Sequence, residues 1–175
     1  VGQSAGLGSS GTNPGWNTGV GSQALLSVQA AVDNTAVGYG AGMALTTGDE
    51  NVFLGYFAGS GSKDIDRAVI IGRSAGQKAS DSNNDGLVAI GYGAAGATTN
   101  GTGNVAVGYS AMSDATAVQE SVAVGYAAMA THGTGNRNIP DFPASSDFEP
   151  NTPESKIVGD LSSDDKVVEK LTSSG

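Results

Sequence analysis

Side chains capable of chemistry are scarce in this chain of 175 residues. It has one histidine, His132, and no cysteine, so the common pairs of a nucleophile and a base lack their members. A single histidine followed by Gly133 is typical of a surface or turn position. We therefore expect no catalytic residue, no metal site and no cofactor, and a protein that is not an enzyme.

Two polar stretches are similar to fragments of ligand-binding loops. Residues 81–86 read Asp-Ser-Asn-Asn-Asp-Gly, like the start of a calcium loop, where oxygen ligands alternate up to a glycine. The twelfth position of that loop falls on Tyr92 instead of glutamate, so a polar turn held by Asx hydrogen bonds is favoured. The stretch from Gly59 to Lys63 lacks the spacing of a phosphate-binding loop.

Aromatic residues are the candidates for recognition. All five tyrosines follow the glycine of a repeat, and stacked rings either pack between coils or form a strip on which sugar faces pack. Trp16 follows Asn13 and Pro14 in the longest loop and is expected to be exposed. The candidate receptor contacts are therefore Trp16, Tyr39, Tyr56, Tyr92, Tyr109 and Tyr126.

An internal repeat must position these residues. The pattern aliphatic-Gly-x-x-Ala occurs eight times, from Val1-Gly2 to Val124-Gly125, with glycines 17 or 19 residues apart and alanine three positions later each time. Such regularity indicates stacked supersecondary units. After Gly2 and Ala5, the structural repeat residues are Gly21, Ala24, Gly38, Ala41, Gly55, Ala58, Gly72, Ala75, Gly91, Ala94, Gly108, Ala111, Gly125 and Ala128.

Seventeen residues are too few for a helix-turn-helix unit and fit one coil of a β-solenoid. We predict an all-β, parallel β-roll with a strand over 34–39 and its equivalents, and a weaker returning strand over 43–47. The extra residues of the two longer units lie in 9–16 and 80–86, as expected of loops. Coils about 4.8 Å apart would make a rod of roughly 34 Å.

The predicted strand has two apolar faces, because its side chains alternate. One face carries the residue before the glycine and the residue two earlier, such as Val37 with Thr35; the other carries small residues such as Ala36. A two-layer coil has one interior, so the second face would form an exposed apolar strip along the rod. We expect self-association to cover it, while the pattern leaves open which face meets the partner.

The repeat resembles two families of extracellular fibres. Asn34–Ala41 and Asn104–Ala111 are similar to the YadA-like head repeats of trimeric autotransporter adhesins. Residues 34–42 and 48–59 resemble repeats of bacteriophage tail-fibre proteins even more closely. The resemblance covers residues 1–132 and implies a homotrimeric rod of left-handed parallel β-rolls.

The same resemblance implies a function outside the cell. A virion fibre would mediate host attachment and contact a cell-surface carbohydrate or protein receptor and other virion proteins. The alternative is the head of an adhesin on the bacterial surface. The units that depart most from the pattern have Gln3 and Arg73 in the tyrosine position, and Ala68 in place of asparagine.

The composition limits the classes of molecule that the chain can bind. There are 17 acidic and 8 basic side chains, a net charge of −9, which offers no electrostatic footprint for nucleic acid or anionic lipid. No apolar run is long enough for a membrane helix. Because Val1 already lies within a motif, we expect a piece of a longer chain.

The repeat ends near His132, and the composition then changes. Residues 133–175 form a proline-rich, acidic segment with four of the five prolines, expected to be extended. Within it, 163–171 has a serine cap and an acidic first turn, which predict a short helix. A cap on the last coil, a trimeric neck and a flexible linker all remain open for this segment.

Overall fold

The computed structural model describes residues 15–79 and 84–130, and the backbone of 134–136. All of them belong to Val1–Pro143, one of the two units into which the chain divides. Successive coils add strands side by side into one seven-stranded parallel sheet. Its strands are β1 Thr18–Val20, β2 Thr35–Val37, β3 Val52–Leu54, β4 Val69–Ile71, β5 Val88–Ile90, β6 Val105–Val107 and β8 Val122–Val124.

The register of the sheet follows the repeat. Thr35 pairs with Val52, and Val69 pairs with Val88 across the longer coil, so each strand lies beside its equivalent in the next unit. A second, two-stranded parallel sheet joins β7 Ala117–Gln119 to β9 Thr134–Asn136. The prediction of an all-β solenoid with 17-residue coils is confirmed, and the described residues contain no α-helix.

The returning strand predicted over 43–47 is wrong. That stretch is a succession of turns and bends, because Gly42 and its equivalents have positive φ angles near +57°. It still bonds to the next coil, for example Ala44 N to Ser60 O at 3.2 Å. The principal strand is also shorter than expected, Thr35–Val37.

The repeated glycine allows neighbouring coils to approach closely. Gly55 has a φ of +134°, and a Cβ built on it would lie 2.7 Å from the carbonyl oxygen of Gly72. Real side chains avoid both that backbone conformation and that distance. The alanine three residues later closes the turn, with Ala58 N donating to Gly55 O, and its side chain is fully buried.

The interior is narrow and takes the middle residue of each strand. Ala36, Phe53, Ile70 and Ala89 are fully buried at this position. The large Phe53 fits because Gly42 and Gly59 leave room for its ring. The alternating outer residues therefore point away from the core, which settles the orientation of the strand that the sequence left open.

A ladder of buried asparagines precedes the strands. Asn51 donates from Nδ2 to Asn34 Oδ1 at 2.9 Å and to Ile65 O at 2.6 Å, and its Oδ1 accepts Ala68 N at 2.8 Å. These bonds satisfy backbone groups that would otherwise be buried without partners. The ladder stops at Ala68, where the sequence departs from the pattern, and Asn104 resumes it by accepting Ser121 N at 3.0 Å.

A second ladder at the same corner consists of carboxylates. Asp49 Oδ1 accepts Val32 N at 2.7 Å, Asp66 accepts Asp49 N at 2.8 Å, and Asp85 accepts Asp66 N at 2.9 Å. Each side chain therefore bonds the backbone of the preceding coil. The acidic residues of the described coils are concentrated at this corner, before the strand.

Left-handed residues at this corner provide a test of the coil geometry. Glu50 is exposed with a φ of +60°; at the equivalent position two later coils have glycine, Gly86 and Gly103, and two have Arg67 and Glu120. We expect Glu50→Gly to stabilise the protein by about 0.5–1 kcal/mol, because glycine adopts this φ without the steric penalty. Urea unfolding measures the change.

The matched control is Ala30→Gly, at an exposed residue whose φ is not positive. There we expect a loss of up to about 1 kcal/mol, because glycine only adds disorder to the unfolded chain. Destabilisation of similar size by both substitutions would contradict the assigned backbone geometry at Glu50.

Candidate recognition surface

The outward face of the sheet is an aliphatic strip. It consists of the first and third residues of the seven strands, all exposed or half-buried in the single chain. Val37 is 37% exposed and Val124 is 58% exposed, and no charged side chain interrupts the strip. Its members are Thr18, Val20, Thr35, Val37, Val52, Leu54, Val69, Ile71, Val88, Ile90, Val105, Val107, Val122 and Val124.

The five tyrosines form a column beside this strip. Each follows the motif glycine, so the stacking of the coils brings the rings together. The rings of Tyr39 and Tyr56 lie 5.5 Å apart, those of Tyr92 and Tyr109 lie 5.0 Å apart, and that of Tyr126 lies 5.2 Å from Tyr109. Interplanar angles of 18°, 8° and 10° make all three contacts stacked.

Arg73 completes the column where a tyrosine is missing. Its guanidinium carbon lies 5.4 Å from the ring centre of Tyr56 and 5.8 Å from that of Tyr92. Both distances are within cation–π range. The departure from the repeat at this position therefore preserves the stack. We call Tyr39, Tyr56, Arg73, Tyr92, Tyr109 and Tyr126 the Tyr/Arg column.

The stacking determines what the column offers to a ligand. Ring faces inside the stack are covered by neighbouring rings or by the guanidinium, while the side chains remain exposed, from 42% at Tyr39 to 74% at Tyr126. Phe57 packs edge-on against the end of the column that contains Tyr39. Its ring centre lies 5.2 Å from that of Tyr39 and 4.6 Å from that of Tyr56. The surface consequently presents ring edges, hydroxyl groups and one guanidinium.

Trp16 stands apart from the column, near one end of the described residues. Its side chain is 86% exposed, as the loop position suggested, and its φ is +54°. Its proposed receptor contact, like that of the tyrosines, stays a prediction. Sequence reasoning missed Arg73 as a member of the column, although a cation in one unit of an aromatic ladder was the available signal.

The two loop-like motifs are engaged within the solenoid. Asp85 Oδ1 accepts Asp66 N, and its Oδ2 lies 4.0 Å from Arg67, so this carboxylate already has partners. Gly59 N donates to Ala75 O and Ser62 N to Gly59 O, which occupies amide groups that a phosphate would need.

Other expected features fall outside the described residues: His132, the start of the polar turn at 80–83, the end of the repeat region at 132, and the helix over 163–171. Within 15–79 and 84–130, no three His, Cys, Asp or Glu side chains are grouped to hold a metal ion. The same residues include no helix with the length and apolarity to cross a membrane.

Comparison of the chain with known protein families, curated proteins and solved structures found no match.

Proposed function

We propose that this chain is a segment of a homotrimeric bacteriophage fibre that attaches the virion to its host. The observation that carries the proposal is the aliphatic strip. Parallel sheets occur almost only with both faces covered, and here the coil's own interior covers one face. The outer face needs a partner of matching length.

A second copy of this chain fits the strip best. The strip repeats once per coil, about every 4.8 Å, and a partner with the same repeat can pack its own aliphatic residues at every step. Leu54, Ile71 and Ile90, the largest outer side chains, lie on three adjacent strands in the middle of the sheet. Their position favours an interface centred on β3 to β5.

The threefold symmetry, the left-handed coil and the virion setting rest on the resemblance of residues 34–42 and 48–59 to tail-fibre repeats. A trimer presents three copies of each exposed group, so weak contacts to a host carbohydrate or protein receptor add through avidity. No catalytic step and no cofactor enter this function. Other virion proteins would hold the fibre.

The alternative function is the head of a trimeric autotransporter adhesin on a bacterial surface. The buried asparagine ladder that includes Asn34 and Asn51 is compatible with both functions, because residues 34–42 and 48–59, which contain these asparagines, also resemble the tail-fibre repeats. Both functions use the same rod and the same self-association, and they differ in the particle that carries the rod.

Immunogold electron microscopy tests the setting. An antibody raised against the purified chain is applied to phage particles and to cells of the source culture. We expect label on the appendages of the virion. Label on cell envelopes would replace the phage fibre with the adhesin, and absence of label from both surfaces would contradict both proposals.

A further inference from the structure

Arg73 is a fixed cation without an anionic partner. It is exposed, and two aromatic rings hold its guanidinium from opposite sides. Among the described residues the single ion pair joins Arg67 to Asp85, and Arg73 forms no hydrogen bond to a described group. Its planar set of N–H donors therefore faces solvent, already positioned by the column.

The surroundings of Arg73 are hydroxylic rather than acidic. The position one residue after the motif glycine has a tyrosine in five described coils and Ser22 in another. The hydroxyls of Tyr56 and Tyr92, on the two sides of Arg73, accept or donate no hydrogen bond within the described part of the chain. These groups can therefore exchange hydrogen bonds with a ligand.

The acidic side chains of the coils next to Arg73 lie elsewhere on the coil. Asp49, Glu50, Asp66 and Asp85 precede the strand, whereas the column follows it. The three-residue strand separates the two groups, so the column is free of carboxylates although the chain has a net charge of −9. An anion approaching Arg73 meets no like charge within the column.

We propose that the Tyr/Arg column binds an acidic glycan polymer, with Arg73 on its oxyanion and the tyrosine hydroxyls on its sugar or polyol hydroxyls. The oxyanion is either a carboxylate of a uronic acid or a phosphate of a phosphodiester-linked polymer, since a guanidinium pairs with both through two hydrogen bonds. Sugar rings contact the edges of the column, because its inner ring faces are covered. This inference rests on the proposed attachment function and names its ligand class.

The column is also placed to stay accessible in an oligomer. Tyr56 is two residues beyond Leu54, the last strip residue of its strand, so it lies at the border of the strip and not at its centre. Sister chains that cover the strip would therefore leave the column accessible at its border.

Isothermal titration of the full chain tests the ligand class. The probes are polygalacturonate, poly(glycerol phosphate), neutral dextran and polyglutamate. We expect binding to polygalacturonate or to poly(glycerol phosphate), which identifies the oxyanion, and at least tenfold weaker binding to dextran and polyglutamate. Dextran lacks the charge, and polyglutamate lacks the hydroxyls.

Two variants assign the binding to the column. Arg73→Tyr restores the residue of the other coils and keeps the stack, and we expect it to weaken binding of the acidic polymer at least tenfold. Lys78→Gln removes the same charge from an exposed residue outside the column and is expected to change binding less than twofold.

Three results would overturn the proposal: binding to neither acidic polymer, equal binding by the wild type and Arg73→Tyr, or equal loss in both variants. Solution mass, measured on the same samples, keeps this test separate from the fibre proposal. A trimer that does not bind acidic polymers would contradict only the proposed ligand class, whereas a monomer would contradict the proposal of a trimeric fibre.

Discussion

Gly55→Ala is expected to destabilise the repeat region by about 4 kcal/mol, through strain of the backbone and overlap with the next coil. The new methyl group would lie 2.7 Å from the carbonyl oxygen of Gly72, which is backbone and cannot move aside. The φ angle of Gly55, +134°, is one that alanine rarely adopts. Urea unfolding followed by circular dichroism measures the loss.

The matched control is Gly93→Ala. Gly93 also has a positive φ, +63°, but the nearest atom to its added methyl group is Ser110 Oγ at 3.7 Å. Equivalent positions hold Ser110 and Ala127 with similar φ angles, so we expect a cost of about 1 kcal/mol. Equal losses for both variants would show that contact between coils is not what requires glycine at position 55.

The double variant Ile71→Asp, Ile90→Asp is expected to dissociate the proposed trimer. Both side chains occupy the middle of the aliphatic strip, and an aspartate there would be buried without a partner if sister chains cover the strip. Such a charge costs about 3 kcal/mol or more, so association should weaken by at least a hundredfold. Sedimentation velocity over a concentration series measures it.

Because both residues point away from the coil interior, the isolated chain should keep its far-ultraviolet circular dichroism spectrum. The control Gln77→Asp places one aspartate on an exposed residue outside the strip, at the position equivalent to Met43, and should leave the proposed trimer intact. An unchanged oligomer in the double variant would mean that the strip is not the interface.

The sequence was sufficient to predict the coil, because the requirement for glycine is local. Gly55 faces Gly72 across one coil, so every unit needs glycine at that position, and the spacing of these residues gives the coil length directly. The alanine of each unit, such as Ala58, recurs because its side chain is buried at the same place in every coil. Because the requirement for glycine recurs in every unit, it predicts the stacked coils of the fold.

The same reasoning could not predict which face of the strand points inward. It also could not predict the conformation of the returning segment, which consists of residues 43–47 and their equivalents. Alternation cannot choose between two apolar faces when Phe53 lies on the inner one and Leu54 on the outer one. The choice depends on the width of the interior, which Gly42 and Gly59 adjust around Phe53. In the returning segment, turns with positive φ keep hydrogen bonds between coils without extended strands.

The role of Arg73 was hidden for a related reason. In the sequence it is a departure from the series of tyrosines. In the structure its guanidinium takes the place of a ring between Tyr56 and Tyr92. A guanidinium can take the place of a phenol ring in the stack through cation–π contacts, and the residue type alone does not reveal this equivalence.

Light scattering coupled to size exclusion, applied to the wild-type chain, tests the central claim most directly: that sister chains cover the outer aliphatic strip. We predict a particle of about three times the chain mass of 17.2 kDa, stable on dilution to micromolar concentration. A particle of 17.2 kDa that stays monomeric at the highest concentration reached would contradict the account, because the strip would then face water along the length of the sheet.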